Sequence, residues 1–299
     1  MKSILLKIAQ ISALGLTTFT TATAFALPRP GELVPTRGLT PLMQDDSEGS
    51  NDNYDYNGIA KLSNCSGALV RFENSLPSDK GMILTNGHCV PRSGGGFLLP
   101  NQFISNEAVS RTFKFLKHDG SVGSSSVAAT KIMYATMTGT DMALYQLSNS
   151  FEQLTSTYAV DALTIASDHP VRNDPIEILS GYWQSGYSCY IEEFVFKMKE
   201  DEYFWNDSVR YSQDGCHTIH GTSGSPVISK TSGRIVAINN TGNDDGARCT
   251  MNNPCEISDR GDVSFKKGLS YAQQTYIIYS CLNVDGTLDL ATAGCKLFH

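Results

Sequence analysis

From residue 58 onward the sequence is a succession of short apolar runs separated by Gly, Ser, Asn and Asp, and this punctuation constrains the fold more than any other feature. The runs cover residues 59–62, 68–72, 82–85, 113–116, 132–135, 142–147, 176–179, 190–196, 227–228 and 235–238. Many short strands between turn signals predict a sandwich or barrel. Residues 272–282 form the best helix candidate, near the C-terminus. A hydrophobic fraction of 40 % over 299 residues supports a buried core, in one large domain or two small ones.

The N-terminus reads differently. Lys2 and Lys7 precede an apolar stretch at 8–16, and small residues lead to Ala24-Phe25-Ala26. This is the pattern of a secretory signal peptide over residues 1–26. Residues 27–57 contain Pro28, Pro30, Pro35 and Pro41 and the acids Asp45, Asp46, Glu48, Asp52 and Asp55. They are read as a pro-segment, and hence a zymogen, or as a flexible arm. The domain proper is expected over 58–299. No later apolar run is long enough to span a bilayer, so no membrane anchor is expected once the signal is removed. The net charge of −7 argues against binding to nucleic acid or an anionic membrane surface.

All eight cysteines lie beyond residue 64: Cys65, Cys89, Cys189, Cys216, Cys249, Cys255, Cys281 and Cys295. An even count behind an export signal implies an oxidising compartment, extracellular or periplasmic, and a disulfide framework. There is no Cys-x-x-Cys pair to suggest a metal cluster. His217 and His220 have chelating spacing for a helix, but their stretch reads as loop and has no further ligand set; no metal or other cofactor is expected.

Three segments carry chemistry. Gly221-Thr222-Ser223-Gly224-Ser225-Pro226 is a small, Gly-flanked loop that can expose one hydroxyl while aiming backbone N–H groups at one place. Met82-Ile83-Leu84-Thr85-Asn86-Gly87-His88-Cys89 is an apolar strand ending in a histidine. Gly139-Thr140-Asp141-Met142-Ala143-Leu144 puts a carboxylate at the mouth of another. Each alone reads more often as a turn or a structural residue than as a catalytic one.

Together with Cys65-Ser66-Gly67-Ala68-Leu69-Val70, they resemble the chymotrypsin-like (trypsin-fold) serine proteases, in the chain order His, Asp, Ser. The loop, with its neutral Thr222, is similar to bacterial secreted members related to the glutamyl endopeptidases. The resemblance covers roughly residues 58 to 285. It implies an all-β fold of two packed six-stranded antiparallel barrels with a C-terminal helix, divided near 148–165. It implies a secreted, monomeric endopeptidase acting on proteins or peptides. Ser223 would be the nucleophile, His88 its base and Asp141 the residue that orients His88, with the Gly221 and Ser223 N–H groups forming the oxyanion hole. Asp119, Asp161 and Asp168 lack the context of Asp141. Cys65 and Cys89 match a family disulfide beside the catalytic histidine. Proximity and exclusion then suggest Cys249–Cys255, Cys281–Cys295 and Cys189–Cys216.

The departures also matter. Thr222 stands where animal enzymes carry an acid that pairs with a freshly cut N-terminus, and Asn57-Gly58-Ile59-Ala60 is a poor counterpart of that N-terminus. No activation through such an ion pair is expected. The resemblance puts the substrate pocket at His217 and Thr218, faced by Asn239, Asn240, Thr241 and Gly242. With His217 rather than Asp at its base, a basic side chain should not be favoured. His217 serves either an acidic side chain or a neighbouring carbonyl. Two other function classes stay open: a noncatalytic, protease-like secreted binding protein and a disulfide-rich structural domain.

Overall fold

The computed structural model describes residues 54–299; the expected signal peptide and residues 27–53 of the expected arm lie outside the described residues. Strands β1 (Ile59–Lys61), β2 (Ser66–Arg71), β3 (Lys80–Thr85), β4 (Phe103–Leu116), β5 (Val122–Thr136) and β6 (Met142–Ser150) pair in the order β1-β4-β5-β6-β3-β2. A β1–β2 pairing closes this antiparallel ring. Helix α1 (Phe151–Tyr158) follows, started by a capping box between Ser150 and Gln153 and ended by Ala159 in the left-handed region. Strand β7 (Leu163–Thr164) joins β2 in parallel, outside the ring.

The second sheet contains β8 (Pro175–Ser180), β9 (Ser185–Glu200), β10 (Tyr203–Tyr211), β11 (Pro226–Ser229), β12 (Ile235–Gly242), β13 (Cys255–Ile257), β14 (Val263–Ser264) and β15 (Ser270–Gln274). The order β10-β15-β12-β11-β8-β9 closes through β9–β10, while β13 and β14 extend the outer edge of β9. The fold is therefore all-β, with two six-strand rings. Closure leaves each ring without the unpaired edges an open sheet would present.

Side chains that alternate inward fill each ring. Leu69, Ile83, Phe113 and Leu116 are buried in the first; Ile176, Ile178, Ile191, Val209 and Val227 in the second. Every apolar run read as a strand falls on one, with Leu62 and Phe72 one residue past the ends of β1 and β2. Strands β4, β5 and β9 extend well beyond those runs, through residues that are largely exposed or half-buried.

The C-terminal helix is corrected. Ser270–Gln274 is strand β15, with all its side chains buried between β10 and β12, and only Tyr276–Cys281 is helical, as a 3-10 helix of 6 residues. Pairing with two neighbours overrides the local helical pattern.

Four disulfides form: Cys65–Cys89, Cys189–Cys216, Cys249–Cys255 and Cys281–Cys295, as paired by the sequence reading. Tyr54–Asn57, assigned by sequence to the arm, hold to the body: Tyr56 is buried, and Asp55 pairs with His118 at 2.8 Å. Among the described residues no helix is long and apolar enough to cross a membrane.

The seam between rings is close-packed. Ser66 Oγ and Ser180 Oγ lie 3.1 Å apart and buried, and Lys61 Nζ donates to the Tyr182 carbonyl at 3.1 Å. A Cβ on Gly181 would sit 2.1 Å from the Ala60 carbonyl oxygen, which is backbone and cannot swing away. Gly181→Ala is therefore expected to cost about 1–3 kcal/mol of stability, the usual range for overpacking. Denaturant titration checks this, and an unchanged midpoint would mean the seam is soft.

Candidate active site

Strand β3 ends at Thr85, and residues Gly87–Cys89 make one 3-10 turn that presents His88. Only glycine fits at 87, where a Cβ would lie 2.0 Å from the Thr136 carbonyl oxygen. The Cys65–Cys89 disulfide pins the turn from the other side. Asp141 stands directly before β6 and has no exposed surface. Its Oδ1 accepts the His88 backbone N–H at 3.0 Å, and its Oδ2 lies 2.6 Å from His88 Nδ1. Asn86 Nδ2 donates to the Asp141 carbonyl at 2.9 Å, which fixes the backbone that carries the acid. Phe97 stands edge-on to the His88 ring, with centroids 6.0 Å apart.

Ser223 lies in the loop between β10 and β11. Its neighbours Gly221 and Gly224 have φ of +91° and +82°, and a Cβ on Gly224 would lie 2.2 Å from the Ser66 carbonyl oxygen. Both positions therefore require glycine. The Ser66 N–H donates to the Ser223 carbonyl at 2.8 Å, and Ser66 Oγ donates to the Gly221 carbonyl at 3.0 Å, so the first ring holds the loop. From the second ring, Asn239 Nδ2 donates to Thr222 Oγ1 at 3.0 Å, and the Gly224 N–H donates to the Asn239 carbonyl at 2.9 Å. Among the described residues, neither the Gly221 nor the Ser223 N–H has an acceptor. The Ser223 hydroxyl donates to the Asn240 carbonyl at 3.2 Å rather than to His88.

These groups share one cavity of about 280 Å³, lined by His88, Asp141 and Ser223. Of the expected pocket residues, Thr218, Asn239, Asn240, Thr241 and Gly242 line it. His217 is corrected: Cys216 turns inward to its disulfide with Cys189, and the next side chain, His217, is exposed and outside the lining. His220 lines the rim, paired with Asp244 at 2.8 Å. Asp119, Asp161 and Asp168 are exposed. The sequence reading missed Glu200, Tyr203 and Asn252, which also line the cavity. Tyr203 and Trp205 turn inward on β10 while Phe204 and Asn206 are exposed, a division that the consecutive aromatics 203–205 do not reveal in the sequence.

Burial disfavours the charged ring of His88, but the adjacent Asp141 carboxylate outweighs it through charge and hydrogen bond, and the pKa is raised above the ordinary imidazole value. A His raised in this way contributes stability below the ordinary imidazole pKa and loses it as pH rises through the raised value. Chemistry that uses His88 as a base needs the neutral ring and should reach its plateau above that value. Asp141→Asn is expected to keep the fold, move the acid limb of the pH–rate profile to lower pH, and cut turnover by roughly 10⁴. An unmoved acid limb in that variant would show that another group sets it.

A family model described as a trypsin-like peptidase domain matches residues 65–238. No curated protein matches the sequence. Among solved structures, the chain is similar to the MamO protease domain from Magnetospirillum magneticum, with TM-score 0.46 and 12 % identity over 77 % of this chain and 98 % of that one. It is also similar to Nocardiopsis protease, with TM-score 0.41 and 14 % identity over 74 % and 92 %. For the chymotrypsin of Cellulomonas bogoriensis the TM-score is 0.39, with 12 % identity over 74 % and 91 %.

Proposed function

The chain belongs to the trypsin-like peptidase domain family, and on that premise we propose that it is a secreted serine endopeptidase acting through an acyl-enzyme intermediate. The observation that carries this reading is the His88–Asp141 pair, bonded at two points and facing Ser223 across one cavity. A serine hydroxyl is a weak nucleophile until a base takes its proton. Rotation about the Ser223 Cα–Cβ bond carries Oγ from the Asn240 carbonyl toward His88 Nε2. Oγ then attacks the scissile carbonyl as His88 accepts the proton. Asp141 holds Nδ1–H and stabilises the imidazolium. The oxyanion is received by the Gly221 and Ser223 N–H groups, each worth about 3 kcal/mol to the transition state. His88 returns the proton to the leaving amine, and water repeats the cycle on the ester.

Thr222 is buried, and its hydroxyl is bonded to Asn239. A neutral residue with its hydrogen bond already made gives a liberated α-amino group no counter-ion, so the pro-segment acts sterically or as a folding aid. The four disulfides fit an extracellular or periplasmic location.

The bond from Ser223 Oγ to the Asn240 carbonyl is what a noncatalytic, protease-like binding protein would also show. A fluorophosphonate probe separates the two. The folded, oxidised protein is expected to label stoichiometrically, and Ser223→Ala and His88→Ala to lose the label. An unlabelled wild-type protein would leave the binding reading standing.

A further inference from the structure

Glu200 closes β9 in a run of charged residues, Lys197-Met198-Lys199-Glu200-Asp201-Glu202, that would ordinarily lie in solvent. Instead the residue is only 4 % exposed. It lines the same cavity as Ser223 and His88. One carboxyl oxygen, Oε1, accepts the Asn252 backbone N–H at 2.7 Å. The other, Oε2, is buried with no hydrogen-bond partner. A second group in the lining shares this condition: the Asn240 side-chain amide is buried with both its polar atoms unpartnered. Buried polar atoms are satisfied almost everywhere in folded proteins, and orphans gathered at one cavity point to a ligand that completes them.

The charges say which ligand. Among the described residues, no lysine or arginine lines the cavity. Its histidines are committed, His88 to Asp141 at 2.6 Å and His220 to Asp244 at 2.8 Å. Glu200 is thus the acid in the lining without a cation of its own. An anionic side chain would meet uncompensated negative charge here, whereas an ammonium or guanidinium supplies both the donors and the countercharge.

We propose that Glu200 is a specificity-determining residue, and that the cavity selects a peptide presenting a lysine or arginine side chain to its carboxylate. This rests on the peptidase reading above. The acid comes from the end of β9, not from the loop before Ser223, where the exposed His217 stands. It reverses the sequence expectation that a basic side chain is disfavoured. The electrostatics agree: desolvation raises the Glu200 pKa against the favourable effects of Thr241, Asn252 and His88, so the carboxylate lacks full compensation in the absence of a cation.

The test is cleavage of a positional-scanning peptide library by wild-type protein and Glu200→Gln, each titrated with the fluorophosphonate probe. Glutamine keeps the shape and the oxygen that accepts the Asn252 N–H. Wild type is expected to demand Lys or Arg at one position. Glu200→Gln should still take the label and lose roughly a hundredfold in kcat/KM for the basic peptides relative to the neutral ones, as when one member of a buried charge pair is neutralised. A Glu200→Gln protein that labels fully and keeps the same basic preference overturns the inference and leaves the peptidase reading intact. So does a wild type that labels but is indifferent to basic residues. A wild type that neither labels nor cleaves overturns both.

Discussion

A carboxylate with no exposed surface must be compensated where it lies, and the arrangement around Asp141 follows from that requirement. Both its oxygens are engaged by one residue, through the His88 backbone N–H and ring. That needs the two residues to approach as backbones, which explains the glycine at 87 and the tie from Asn86 to the Asp141 carbonyl. The loop before Asp141 is held in turn by the other ring. The Gly139 N–H donates to the Phe204 carbonyl and the Asn206 N–H to the Gly139 carbonyl, both at 3.0 Å, while the buried Trp205 indole donates to the Met137 carbonyl at 3.0 Å. Strand β10 of the second ring therefore fixes the acid of the first.

The dependence also runs the other way. Ser223 belongs to the second ring by sequence, yet Ser66 of the first holds the carbonyls of Gly221 and Ser223. Thr85 Oγ1 bonds the Ser66 carbonyl at 2.8 Å, so the strand that delivers His88 also fixes the residue that grips the Ser223 loop. Neither ring alone could hold its half of the site at hydrogen-bond precision. Buried polar contacts across the seam, rather than apolar area alone, set the register of one ring on the other.

What the sequence made legible was the local geometry written in contiguous residues. A strand ending in Asn86-Gly87-His88-Cys89, an acid opening β6 and a loop with two glycines around Ser223 each state their local geometry directly. Pairing the cysteines worked because the other contacts bring near neighbours together. What was illegible depends on distant packing. Glu200 sits among charges that read as a solvated tip, and it is buried only because the β9–β10 hairpin meets Asn252 and Thr241. Strand β15 looked helical because its Ala-Gln-Gln stretch gains its strand partners from two elements elsewhere in the chain. His217 was misplaced for the converse reason: the resemblance gave its position along the loop, but the inward turn of Cys216 decided which way it faced.

The position of Glu200 ties recognition to catalysis electrostatically. Its charge is among the influences that raise the His88 pKa, after that of Asp141. A raised base is a stronger proton acceptor, but a smaller fraction of it is neutral at a given pH. A cation seated against Glu200 cancels that part of the field while leaving the Asp141 bonds untouched. The His88 pKa then falls toward what Asp141 and burial alone set, and more of the ring is free to take the Ser223 proton. On the proposed reading, charge matching in the cavity acts in the direction of turnover, because Glu200 and His88 line the same cavity and their charges act on each other there.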